Sequence, residues 1–287
     1  MPWTNFHSHT NYCDGHNKPQ DYIIEAINQG MAAYGFSSHA PLPFECDWTI
    51  PQNKINGYLQ DIQEIIRAYS QKIQVYLGLE VDFIPGVTSP DHENIKKLNL
   101  DYTIGSVHFV DSFNNGERWC IDWTLEYFMK GLKEIFNGNV KKAILRFFEL
   151  SKQMLFECRP NIIGHFDKIS MHNQKINLFN EDESWYVDEI VEILDLIKKR
   201  DVIVEINTRG YYKGGKNLYP HQRFFEQIKK KQIPVTINSD CHLPTELTKG
   251  YEYAADCLLH NGIDEIWSLY DGKWKPFKLD KVKGIVL

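Results

Sequence analysis

Short apolar or β-branched runs alternate with amphipathic segments of ten to twenty residues from residue 2 to residue 268, a pattern that predicts successive βα units. The runs place strands at residues 3–6, 33–37, 74–79, 102–106, 161–164, 202–206 and 234–238, with an eighth at 265–268. Helical spacing is legible in Tyr58, Ile62, Ile65, Ile66 and Tyr69, and again in Val187, Ile190, Val191, Leu194 and Ile197. Both stripes are expected to face the barrel. Pro19 and Pro90 mark helix starts where a first-turn proline loses no hydrogen bond, and Ser89 offers a capping oxygen. Residues 123–137 and 140–158 break the alternation as two consecutive helices, an expected insertion within one domain spanning residues 1–287. The run Lys229-Lys230-Lys231 closes a helix, where cations complement the dipole. Residues 269–287, with the turn signal Asp271-Gly272, are expected to form a hairpin or lie across the barrel.

A length of 287 residues admits two domains or one α/β barrel of roughly 250 residues, and no linker or repeat divides the chain. The 32 basic residues against 38 acidic ones leave a net charge of −6, which argues against a nucleic-acid partner. No apolar run approaches about 18 residues, and residues 1–10 carry neither a basic leader nor an apolar stretch, so no membrane partner and no export are expected. The six cysteines, at 13, 46, 120, 158, 241 and 257, form no Cys-x-x-Cys pair and read as reduced thiols of a cytoplasmic protein.

The histidines change the picture. The first strand ends in His7-Ser8-His9, and residues two apart on a strand project to the same face. Asp14-Gly15-His16 follows in the next loop. Later strands end at His39, at Glu80 and Asp82, at His108, at His165, and at Asp240 and His242. The C-terminal ends of barrel strands surround one opening, so these residues should converge there. A lone buried histidine is ordinarily a hydrogen-bonded core residue, but independent core histidines have no reason to select the same end of nearly every strand. The set His7, His9, His39, Glu80, His108, His165, Asp240 and His242 offers imidazole and carboxylate ligands suited to zinc, iron or manganese, and too many for one ion. His92, His172, His221 and His260 fall on helix or loop patterns and are expected at the surface.

Several divalent ions in an open site point to hydrolysis by metal-bound hydroxide, with phosphate monoesters as fitting substrates. Glu80 and Asp240 are the catalytic candidates, Asp240 as acceptor of the water proton. Arg209, directly after the sixth strand, is the leading phosphate-binding candidate, followed by Arg159, Arg118 and Lys213. Glu45, Asp47, Trp48, Asp82 and Phe83 are placed to line a pocket for the rest of the substrate.

This ordered series resembles the polymerase-and-histidinol-phosphatase (PHP) superfamily from His7 to His242. The segments Ser38-His39-Ala40-Pro41-Leu42-Pro43, Gly78-Leu79-Glu80-Val81-Asp82 and Gly105-Ser106-Val107-His108-Phe109 are similar to its histidinol-phosphatase family. The resemblance implies a distorted (β/α)7 barrel with three divalent ions. His7, His9, Glu80 and Asp240 would hold the first, with Glu80 bridging to a second held by His108 and His165. His39 and His242 would hold the third with Asp14 or His16, Asp14 being favoured. It also implies hydrolysis of L-histidinol phosphate in histidine biosynthesis. The competing readings are a PHP-type phosphoesterase acting on nucleotides or nucleic-acid ends, and a barrel that binds metal without turnover.

Overall fold

The computed structural model describes residues 2–287; Met1, the first of the ten residues for which no leader is expected, lies outside the described residues. In chain order the strands are β1 (Thr4–Asn5), β2 (Ala33–Phe36), β3 (Gln74–Asp82), β4 (Tyr102–Ser106), β5 (Phe109–Ser112), β6 (Arg118–Cys120), β7 (Ile162–Ile163), β8 (Ile203–Asn207), β9 (Val235–Asn238), β10 (Glu265–Tyr270), β11 (Lys273–Asp280) and β12 (Gly284–Val286). Seven of them form one parallel sheet in the order β1-β2-β3-β4-β7-β8-β9. Each is buried on both faces, which is why the sequence shows them as continuous apolar runs and not as alternations.

The sheet curls until β9 meets β1, and the seam is not a regular ladder. Asn238 Oδ1 accepts the Phe6 N–H at 2.8 Å, and beyond it a single bridge joins Ser8 to Cys241, with the His9 N–H donating to the Cys241 carbonyl at 2.9 Å. Asn5 adds its side chain, whose Oδ1 accepts the Ser239 N–H at 3.3 Å, and a barrel closed by side chains and one bridge is distorted at that seam. Its mouth nevertheless gathers the ends of all seven strands.

The helices are α1 (Pro19–Asn28), α2 (Ile55–Tyr69), α3 (Glu93–Lys96), α4 (Leu125–Phe136), α5 (Val140–Glu157), α6 (Asn173–Ile176), α7 (Ser184–Arg200), α8 (Arg209–Tyr212), α9 (Phe225–Lys231) and α10 (Tyr251–His260). Pro19 opens α1 as expected, and Tyr58, Ile62 and Ile65 of α2 and Ile190, Leu194 and Ile197 of α7 turn inward. The signal at Ser89-Pro90 starts no helix. Those residues form a turn in which the His92 N–H donates to the Ser89 carbonyl, and α3 begins three residues later with the His92 imidazole as its cap. As expected, α4 and α5 follow one another with no strand between them, each capped by a side chain, Thr124 and Asn139. The hairpin of β5 and β6 that precedes them was not read from the sequence.

The last predicted strand leaves the barrel. β10 pairs antiparallel with β11, and β11 with β12, through a turn at Asp271-Gly272 where both residues have positive φ. This sheet floors the barrel: Leu269 packs with Phe6, Tyr76, Tyr102, Ile104, Ile162 and Ile203, while the Trp274 ring meets Phe6 edge-on at 5.0 Å. Tyr102 fills the interior so tightly that a Cβ at Gly78 would come within 2.5 Å of its ring. Its hydroxyl donates to the carbonyls of Phe6 and Phe36 at 2.7 and 3.1 Å. No helix among the described residues is long and apolar enough to cross a membrane.

Candidate metal centre and cleft

One residue past the floor, the character of the interior inverts. His7 and His9 leave the end of β1, His39 follows β2, Glu80 lies on β3, His108 follows β4, His165 follows β7, and Asp240 and His242 follow β9. All eight reach the same mouth. Glu80 is its centre, with Oε2 3.1 Å from His7 Nε2, 3.5 Å from His9 Nε2 and 3.1 Å from His39 Nδ1. Its other oxygen, Oε1, lies 3.0 Å from His165 Nε2 and 3.5 Å from His108 Nε2. Asp240 Oδ1 stands 3.2 Å from His9 Nε2 and 3.8 Å from His7 Nε2. Asp14 closes the ring, Oδ2 3.0 Å from His242 Nε2 and Oδ1 3.9 Å from His39 Nε2. The loop that carries Asp14 folds so closely over β1 that a Cβ at Gly15 would sit 2.2 Å from the His9 carbonyl oxygen.

Buried polar atoms normally find hydrogen bonds, and one left without a partner costs about 1–3 kcal/mol. Here His7 Nε2, His9 Nε2, Asp14 Oδ1, His39 Nδ1, Glu80 Oε2 and His108 Nε2 are all buried and all without one. Their spacing explains the arrangement. Two ligands bound tetrahedrally at roughly 2.0–2.2 Å from one ion stand about 3.4 Å apart, and Glu80 Oε2 lies 3.1 to 3.5 Å from the partnerless nitrogens of His7, His9 and His39. The residues therefore fit divalent cations. With imidazole and carboxylate as donors, zinc, manganese and iron suit them. Cys13 belongs to none of these ligand groups, and burial, with Asp14 beside it, pushes its thiol up to about 12.

The remaining ring nitrogens are held from behind. His7 Nδ1 bonds Glu205 Oε1 at 2.6 Å, His108 Nδ1 bonds Asp82 Oδ1 at 2.9 Å, and His242 Nδ1 lies 3.1 Å from the Asp240 carbonyl oxygen. Such bonds fix ring orientation and tautomer. Glu205 itself is clamped by the His165 N–H and by the side chains of Asn207 and Asn238. Burial alone would lower the pKa of His7, but the carboxylates of Glu205, Glu80 and Asp240 raise it well above the ordinary imidazole value. Burial would likewise raise that of Glu80, yet His7, His39 and His108 hold it well below the usual carboxylate range.

A cleft of about 390 Å³ opens above these groups, lined further by Trp48, Asp122, Trp123, Lys168, Arg209, Lys213 and Tyr219. Arg209 Nη1 donates to the Asp240 carbonyl at 2.9 Å, and Lys213 Nζ lies 2.6 Å from Glu246 Oε1. Two basic candidates fall elsewhere. Arg159 precedes β7, at the far end of the strand from His165, and pairs with Asp201 on the exposed surface. Arg118 lies within β6, and its guanidinium stacks over Phe44. His16 is exposed and joins no ligand group; only its N–H engages the rim, on the His242 carbonyl. Of the expected lining residues, Trp48 reaches the cleft, Asp82 holds His108, Phe83 is in the core, and Glu45 and Asp47 are exposed outside it. His92 and His260 are exposed, but His172 is buried against Phe128 and His221 is half-buried, its Nδ1 accepting from the Arg223 N–H. Sequence reasoning missed Glu205, Asp122, Lys168 and Glu246. For Glu205 the signal was present: a carboxylate inside the apolar run Ile203-Val204-Glu205-Ile206.

A profile of the PHP domain matches residues 5–209. This chain belongs to the PHP domain family. Among its relatives, a probable histidinol-phosphatase of Schizosaccharomyces pombe is 28% identical over 282 residues, covering 93% of this chain and 89% of its own length. The histidinol-phosphatase of Bacillus subtilis is 26% identical over 270 residues, covering 87% and 96%. A histidinol phosphate phosphatase from Lactococcus lactis, crystallised with zinc, L-histidinol and phosphate, superposes with a TM-score of 0.70 at 17% identity, over 95% of this chain and 98% of that one. The last likeness is one of fold: that structure shares the seven-stranded barrel described above.

Proposed function

We propose that this protein is a metal-dependent phosphomonoesterase, a histidinol phosphatase that hydrolyses L-histidinol phosphate to L-histidinol and phosphate in histidine biosynthesis. The observation that carries the proposal is the set of six buried, partnerless ligand atoms facing one another around Glu80. The relatives, histidinol-phosphatases that match along most of their length, supply the substrate. A cytoplasmic location belongs to the same proposal and is supported by six cysteines that are all free.

Three cation positions are assigned: one among His7, His9, Asp240 and Glu80 Oε2, one among Glu80 Oε1, His108 and His165, and one among His39, His242 and Asp14. Divalent ions bound there supply Lewis-acid charge and bring the pKa of coordinated water toward neutrality. The chain's own residues do the rest. Glu80, with one oxygen toward each of two ligand sets, keeps them at fixed separation. Arg209 and Lys213, both held by Glu246, draw the phosphate dianion to the mouth and offset the carboxylates that would repel it. Asp240 Oδ1 accepts the proton as a water oxygen bonds to phosphorus and the phosphorus–ester oxygen bond breaks. The proton held by Asp240 passes, through water, to the leaving alkoxide and gives L-histidinol.

Protein stripped of metal and reloaded with Mn²⁺ or Zn²⁺ tests the proposal by phosphate release. Strong preference for L-histidinol phosphate over nucleotides and a chromogenic phosphoester is expected. Comparable rates on all of them would remove the histidine-pathway assignment, and no turnover at full metal loading would leave a non-catalytic metal-binding barrel.

A further inference from the structure

One cleft cation differs from the others in how it is held. Lys168 follows His165 by three residues, and its N–H donates to the His165 carbonyl at 2.9 Å, so the turn that presents His165 also roots this side chain. The residue is only 9% exposed, yet it lines the cleft. A nearly buried ammonium is costly unless paired. Its partner is Asp122, with Nζ 2.8 Å from Oδ2, and that same oxygen stands 3.9 Å from His108 Nε2. The pair thus joins the loops after two neighbouring barrel strands at the edge of the ligand cluster. An ammonium carries three donors, and the only hydrogen-bonding or ion-pair partner of Lys168 Nζ among the described residues is Asp122. Arg209 Nη1, by contrast, is engaged by the Asp240 carbonyl and the Tyr212 hydroxyl, and Lys213, which also has a single partner in Glu246, has its side chain 45% exposed against 11% for Lys168.

We infer that Lys168 is a further catalytic residue, whose ammonium binds a non-bridging oxygen of the substrate's phosphate group, with Asp122 as the positioning residue that holds it over the cleft. The inference rests on the phosphomonoesterase reading above. A phosphate dianion entering this mouth meets Asp14, Glu80 and Asp240, and a fixed cation with free donors offsets that field. As a compact charge on a rotatable head, lysine follows an oxygen as the phosphoryl group flattens during transfer.

The test uses the full-length, metal-loaded protein and two variants, Lys168→Met and Lys168→Arg. Calorimetric binding of inorganic phosphate is read beside kcat and KM for L-histidinol phosphate and an aryl phosphate, and beside metal content. Lys168→Met is expected to weaken phosphate binding about tenfold or more and to lower kcat/KM about 10²-fold. The loss should be equal on both esters, because the phosphoryl group is common to them, with metal content unchanged. Lys168→Arg should regain at least about tenfold of kcat/KM by restoring the charge. Phosphate affinity within about twofold of wild type would overturn the inference, because a charged hydrogen bond is worth more than that. A loss confined to the alkyl ester would overturn it too, by placing Lys168 at the leaving oxygen. Because Lys168→Met strands Asp122, the double variant K168M/D122N removes both charges and should show the same loss of phosphate binding. Restored binding there, or loss of metal from both the single and the double variant, would make Lys168 a structural residue only. Phosphate binding needs no substrate, so a wild-type protein inactive on both esters would defeat the functional reading while this arm still decided the role of Lys168.

Discussion

The floor and the mouth of the barrel are built on the same strands and obey opposite rules. At the floor, Phe6, Tyr76, Tyr102, Leu269 and Trp274 pack ring against ring, and the Tyr102 hydroxyl satisfies two carbonyls. At the mouth, beginning with His7, six buried nitrogens and oxygens face the cluster without a hydrogen-bond partner. Folding gains from the first region and is taxed by the second unless cations occupy it. The difference teaches where each kind of mutation should register: in stability at the floor, in metal content and turnover at the mouth.

Glu80→Ala should give the largest effect. Removing both oxygens of the central carboxylate is expected to empty two metal positions together and to lower kcat/KM at least about 10³-fold; metal analysis showing the loss of a single equivalent would contradict its place between two sets. Leu269→Ala tests the floor, with an expected loss of about 2–4 kcal/mol in denaturant unfolding and no change in metal content. Glu205→Gln sits between the regions. It keeps the shape but weakens the bond that orients His7, and should reduce metal affinity about 10–100-fold in a chelator competition. Smallest of all, Arg159→Ala removes an exposed pair with Asp201 and should shift stability by no more than about 0.5 kcal/mol, with kcat/KM unchanged.

Much of this contrast was legible along the chain. Parallel strands are buried on both faces, so their apolar runs stood out, and the candidate ligand residues stood at the ends of those runs because barrel strands finish at one rim. What escaped was set by tertiary context. Glu205 lies within a strand and shows its purpose only when β8 is placed beside His7 and His165. Residues 265–268 carry a strand pattern that does not reveal whether the partner is the barrel or the tail that folds back on it. Arg159 and Arg209 look alike as loop arginines, and they differ only in which end of a strand they adjoin. The choice between Asp14 and His16 needed the close pass of Gly15 over His9, which turns one side chain inward and leaves the other exposed.

The most direct test is a crystal structure of zinc-loaded protein with anomalous scattering recorded at the zinc edge. Peaks are expected about 2.0–2.2 Å from the ligand atoms of His7, His9 and Asp240, of His108 and His165, and of His39, His242 and Asp14, with Glu80 reaching two of them. A mouth with no anomalous peak among these side chains, in protein that has taken up zinc, would contradict the account.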